Sequence, residues 1–214
     1  HARNTLVVYL GDHGYNLGHH GRFEKHCFWE TAVRTPLLVR WPQRVRPGRV
    51  VRDLTEFVDL FPTFCEATGS PTPKGLHGRS LVPVLTGRGG TGRREVLSVY
   101  AENEEAMLRD ERWKLIYCTG KRARQDGYDV DTPTPGRYAK LYDLREDPDE
   151  MHNLAEDPRH AGRRRRMLGR LVQRLRETHP PAVLPPAQLS PEEQLDRLLV
   201  PVELQRTAQP GTNA

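Results

Sequence analysis

At 214 residues, with 36% apolar and 29% charged positions and a mean hydropathy of -0.72, the chain can bury one good-sized core but is rich in loop and solvated helix. Basic side chains (33) outnumber acidic ones (28), and the resulting net charge of +5 admits anionic ligands without requiring a polyanion. No apolar run approaches the length of a membrane span, and three widely spaced cysteines fit neither a disulfide framework nor a zinc site, which leaves the compartment open.

The first predicted element is an apolar, β-branched run from Thr5 to Leu10, the kind that fills a strand buried on both faces, and it stops at Gly11-Asp12-His13-Gly14. In open α/β sheets, ligands bind beyond the carboxyl ends of the strands, so Asp12 and His13 sit where chemistry is expected. A carboxylate beside an imidazole is half of a metal site; equally, it is a turn with a hydrogen-bonded histidine. Gly18, His20 and Gly21 keep the loop turning, and Lys25 precedes a short helix expected through Cys27, Trp29 and Ala32. Lys25 can also be read as a surface lysine beside Glu24. A second apolar run, Leu37 to Val39, closes at Trp41-Pro42 and reads as another sheet strand.

Asp59 reads as the N-cap of a helix with Pro62 in its first turn, and Leu60, Phe61, Phe64 and Cys65 form the face expected to meet the core before Gly69 ends it. Gly87 to Gly92 is a flexible junction lacking the signature of a phosphate-binding loop. Short strands follow at Val96 to Tyr100, Ala106 to Arg109, Trp113 to Tyr117 and Lys140 to Leu144, with Asp110-Glu111 turning the middle pair into a hairpin. The polar segment from Gly120 to Arg137 reads as an exposed loop. Asp157-Pro158 starts a long helix whose stripe of Met167, Leu168, Leu171, Val172 and Leu175 opposes a face of arginines; His179-Pro180-Pro181 stops it. Ser190-Pro191-Glu192-Glu193 is a capping-box start for a last short helix, and the composition from about Arg206 is that of a disordered tail.

The pattern D-H-G-x-x-x-G-x-H-G, with a lysine twelve positions after its first histidine and T-P-L-L-V-R-W-P beyond, resembles the type I sulfatases of the alkaline phosphatase superfamily. V-D-L-F-P-T, R-W-K-L-I-Y and K-L-Y-D-L-R-E-D-P-D-E-x-x-N-L extend the resemblance down the chain. It implies an α/β fold: the C-terminal part of an alkaline-phosphatase-like sheet sandwiched by helices (residues 1–92), a small antiparallel sheet with a packed helix (93–180), and a Pro-rich tail (181–214). It makes Asp12 and His13 ligands of a divalent metal, Lys25 the catalytic contact to sulfate, and His20 a substrate-binding residue. Calcium is the implied metal; because a nitrogen ligand is unusual for a hard cation, magnesium and manganese stay open. The family's nucleophile is a formylglycine made from C/S-x-P/A-x-R. Cys118-Thr119-Gly120-Lys121-Arg122 lacks the Pro or Ala and follows the metal loop, so the nucleophile and the remaining ligands are expected upstream of His1.

The expected function is therefore that of the C-terminal portion of a metal-dependent enzyme acting on a sulfate ester. The alternatives are a phosphonate or phosphate ester hydrolase of the same superfamily and, were the chain complete, a non-catalytic remnant. No nucleic-acid partner is expected, because the arginines of the long helix read as a solvated face.

Overall fold

The computed structural model describes residues 1–121 and 136–201. Two antiparallel sheets organise it. β1 (Val7–Leu10) pairs with β2 (Leu37–Arg40), Val8 opposite Val39, and α1 (Glu30–Val33) lies between them in the chain. α2 (Leu60–Thr68) and α3 (Val82–Leu85) follow. The central sheet is a meander of β3 (Val96–Tyr100), β4 (Glu105–Arg109), β5 (Trp113–Cys118) and β6 (Tyr138–Asp143), in that order. α4 (Ala161–Thr178) and α5 (Pro191–Leu198) complete the described fold.

Period-two alternation gives the central sheet two buried faces. Ala106, Leu108, Leu115, Tyr117 and Leu141 meet Met167, Leu168, Leu171 and Leu175 of α4 and Leu195 and Leu198 of α5. Met107, Ile116 and Tyr142 point the other way, onto Phe28 and Val33 around α1. The β4–β5 hairpin is closed by Asp110, whose Oδ1 accepts the N–H groups of Arg112 and Trp113 at 3.0 and 2.7 Å. Asp157 accepts from Arg159 N at 2.9 Å in the 3-10 turn leading into α4, and Ser190 and Glu193 form the expected capping box of α5.

Several sequence expectations are corrected. β1 is not buried on both faces: Val7 and Tyr9 are 46% and 67% exposed, because the described residues supply one partner strand and no layer over that side. The helix expected from Cys27 begins only at Glu30, since Trp29 is extended. In α2 the buried residues are Pro62, Thr63 and Cys65, whereas Phe61 and Phe64 face solvent. Asp59 makes no side-chain cap to α2; its carboxylate instead accepts the N–H groups of Glu56 and Arg79, each at 2.8 Å, and pairs with Arg93. The Gly-rich junction is tethered, with Thr91 N donating to Asp53 at 2.9 Å and Arg79 to the Gly92 carbonyl at 3.0 Å. Most of the loop expected from Gly120 to Arg137, and the tail from Arg206, lie outside the described residues.

Arg165 and Arg166 of α4 are exposed, as the solvated-face reading expects, while other arginines of the helix are engaged. Arg170 pairs with Glu95 and Asp110, Arg174 lies 3.6 Å from Glu56, and Arg163 sits over the Trp113 ring. Among the described residues no helix is long and apolar enough to cross a membrane.

Candidate active site

The loop after β1 turns because Gly14 sits against the backbone of α1. A Cβ there would fall 2.0 Å from the Thr31 carbonyl oxygen, so only glycine fits. That approach lets Gly14 N donate to the Ala32 carbonyl at 2.8 Å. Asn16, buried beneath the loop, receives the Thr31 hydroxyl at 2.6 Å and donates its amide to the Glu24 carbonyl at 2.5 Å. Residues 14 and 24 are thereby held on one helix.

The consequence is that Asp12, His13 and Lys25 meet. Lys25 Nζ lies 2.6 Å from His13 Nε2, and Asp12 Oδ2 lies 3.4 Å from the same nitrogen. His13 Nδ1 is 3.1 Å from the Gly14 carbonyl, which only accepts, so the network assigns the proton to Nδ1 and leaves the Nε2 lone pair facing positive charge. Tyr15 flanks the group, 5.4 Å from the His13 ring and with Lys25 Nζ 5.9 Å from its own centroid. The Asp12 side chain is 85% exposed and its Oδ1 accepts His13 N at 3.0 Å.

Two ligand atoms sharing one cation of ordinary metal–oxygen distance stand about 3.0–3.4 Å apart, and the Asp12–His13 separation of 3.4 Å meets that. In this arrangement Lys25 Nζ, 2.6 Å away, takes the single Nε2 lone pair, so His13 would ligate a cation only with that ammonium displaced, and among the described residues no group of three or more His, Cys, Asp or Glu converges as a metal cluster.

His20 lies elsewhere. It adopts a left-handed backbone with φ of 53° and stacks on Trp29 at 3.9 Å with the rings 8° from parallel. Burial, then the neighbouring His19, lower its affinity for a proton below the usual imidazole range. The neighbouring His19 has Nε2 3.1 Å from the Asp149 carbonyl. Trp29 also carries Arg22 and Lys140 near its ring, at 5.4 and 5.2 Å, and burial holds the Lys140 ammonium below its ordinary range.

Sequence reasoning overlooked Lys114 and Glu150. Both are buried, and Lys114 Nζ stands 2.7 Å from Glu30 and 2.7 Å from Glu150. Burial raises both carboxyls; at Glu30 the charges of Lys114 and Arg109 outweigh it and hold the group below its usual range, whereas Glu150 stays above. The available signal was a lysine inside the apolar run Trp113 to Cys118, where a charge demands a partner.

The family described as N-sulphoglucosamine sulphohydrolase, C-terminal, matches residues 18–178. The chain is 30% identical over 185 residues to an N-acetylglucosamine-6-O-sulfatase of Bacteroides thetaiotaomicron, covering 82% of this chain and 30% of that protein. It is 32% identical to arylsulfatase K of Xenopus laevis, over 71% of this chain and 28% of that one. Among solved structures, BT4656 in complex with its substrate D-glucosamine-2-N,6-O-disulfate superposes with a TM-score of 0.69 at 28% identity, over 82% of this chain and 35% of that one. A phosphonate monoester hydrolase of Agrobacterium radiobacter gives 0.65 at 28% identity, over 81% and 35%. With this family match, fold and motif together, the chain belongs to the sulfatase family of the alkaline phosphatase superfamily. It spans about a third or less of the length of each of these relatives.

Proposed function

We propose that this chain supplies half of the metal site and the sulfate-contacting lysine of a sulfatase that hydrolyses a sulfate ester. The observation that carries this reading is the convergence of Asp12, His13 and Lys25, with Lys25 Nζ 2.6 Å from His13 Nε2. Asp12 and His13 would hold a divalent cation, with calcium the implied ion and magnesium or manganese the alternatives. When bound, that cation supplies positive charge to the sulfate oxygens. The chain's own residues do the rest. Lys25, held 2.6 Å from His13 Nε2, is a three-donor cation that would neutralise charge developing on the oxygen departing from sulfur. His13, whose Nδ1 lies 3.1 Å from the Gly14 carbonyl, is oriented by that contact and would turn Nε2 towards the cation. The nucleophile, a formylglycine in the family resembled, belongs to upstream sequence. His20, stacked on Trp29, is the residue that the family resemblance assigns to substrate binding.

The test is turnover of an aryl sulfate by the full-length protein. Lys25→Ala is expected to lower kcat about 100- to 1,000-fold, in line with removing one preorganised donor, and Asp12→Asn to weaken metal dependence. Undiminished turnover in Lys25→Ala would refute the assignment.

The similarity to the phosphonate monoester hydrolase keeps a second reading in view. Phosphonate esters turned over faster than sulfate esters under the same conditions would make this chain part of that activity instead.

A further inference from the structure

Lys114 has no solvent exposure and lies on the face of the central sheet turned towards α1. Its ammonium donates to the Phe28 carbonyl at 2.9 Å and stands 2.7 Å from both Glu30 Oε1 and Glu150 Oε1. The second oxygen of Glu150 accepts the Glu30 backbone N–H at 2.6 Å. Arg109, opposite Lys114 on β4, brings its Nε to 3.1 Å from Glu30. Taking these charges out of water is costly, and replacing the whole group by packed apolar side chains is often no worse for stability, whereas removing one partner alone strands the others. The ions add direction: they fix the start of α1 against β5 through both backbone and side chain.

We propose that Lys114, together with Glu150, is a positioning residue that sets α1 and, through it, the relation of Lys25 to His13. The inference deepens the sulfatase reading and rests on it for the role of those two groups. The route between them is continuous. From Glu30 the helix presents the Ala32 carbonyl to Gly14 N and the Thr31 hydroxyl to Asn16, which in turn holds the Glu24 carbonyl immediately before Lys25. Gly14 leaves no slack in that route, its α-carbon facing the Thr31 carbonyl too closely for any side chain. A displacement of α1 therefore moves both the His13 and the Lys25 ends of the loop, and a small misplacement of reacting groups is amplified in rate.

The experiment is nitrogen NMR of the His13 ring and the loop amides in the intact, uniformly nitrogen-15-labelled protein, for wild type, Lys114→Met, Glu150→Gln and Leu171→Ala. Wild type is expected to give the Nδ1–H pattern with Nε2 accepting. Lys114→Met should replace it with an averaged tautomer pattern and move the amides of Gly14, Asn16 and Lys25; Glu150→Gln should move the same signals less. Leu171→Ala, on the opposite face of the sheet, should lower stability and leave them in place. His13 signals that coincide with wild type in folded Lys114→Met or Glu150→Gln overturn the proposal, as do equal shifts in Leu171→Ala. Should Lys114→Met fail to fold, Glu150→Gln decides alone. Because no substrate enters the measurement, loss of the sulfatase reading and loss of the positioning role give different results: absent turnover with moving signals removes only the former.

Discussion

Three buried phenols respond to pH in the same direction. Burial, followed at Tyr117 by the hydrogen bond to Asp196 and at Tyr138 by the charge of Glu105, pushes both far above the ordinary tyrosine range, and burial pushes Tyr142 up to about 12. The sign follows from proton counting: an unfolded chain releases these protons from about pH 10, while the folded chain retains them, so the unfolded state binds fewer protons and stability falls as pH rises from there. A steep decline of stability between about pH 10 and pH 12 is therefore expected, read by denaturant titrations at successive pH values alongside tyrosinate absorbance. A decline beginning well below pH 9 would mean that other groups control it. At this scale the sequence was informative where the chemistry is local. Asp12, His13 and Lys25 lie within one loop, and the motif resemblance grouped them. Lys114 and Glu150 reach the loop from 86 and 120 residues away, and nothing in local spacing signals such a contact. His20 was legible as a loop residue, but its stacking on Trp29 depends on a left-handed backbone that few non-glycine residues adopt.

The strands of the central sheet were readable because alternation is enforced by two buried faces, and Asp110, Asp157 and Ser190 marked turns and helix starts through side-chain acceptors. α4 is the element on which that sheet depends. Leu171 is fully buried among β-strand and α5 side chains, so Leu171→Ala is expected to cost about 2–5 kcal/mol, measured as a shift of the urea midpoint at unchanged slope. A loss below about 1 kcal/mol would mean that the site collapses around the missing methyls. α2 was read less well, for a physical reason. A stripe of Leu60, Phe61, Phe64 and Cys65 identifies the surface of a helix that would gain from cover, yet it cannot say which part of that stripe the chain itself covers. Similarly, the β-branched composition of β1 reports a preference for burial that the described residues satisfy on one side only.

Across the whole molecule these uncovered surfaces have a solution consequence. Tyr9 and Leu38 on the two-stranded sheet and Phe57, Val58 and Phe61 around α2 are each about half exposed or more, and contiguous apolar surface of this kind drives association. The chain of residues 1–214 is expected to show a concentration-dependent mass in light scattering coupled to gel filtration, and Phe61→Glu to shift it towards monomer without lowering the thermal midpoint. A monomeric mass at every concentration would contradict this. The brace between Lys114, Glu150 and α1 carries a different consequence, one of timing. During synthesis at roughly 5–20 residues per second, the 120 residues separating Glu30 from Glu150 take roughly 6–24 s to emerge. Throughout that interval the loop bearing Asp12, His13 and Lys25 has left the ribosome without its anchor, open to any modifying enzyme or chaperone that needs an extended chain. The last strand and the turn after it then act as a clasp, ending that period of access when they dock.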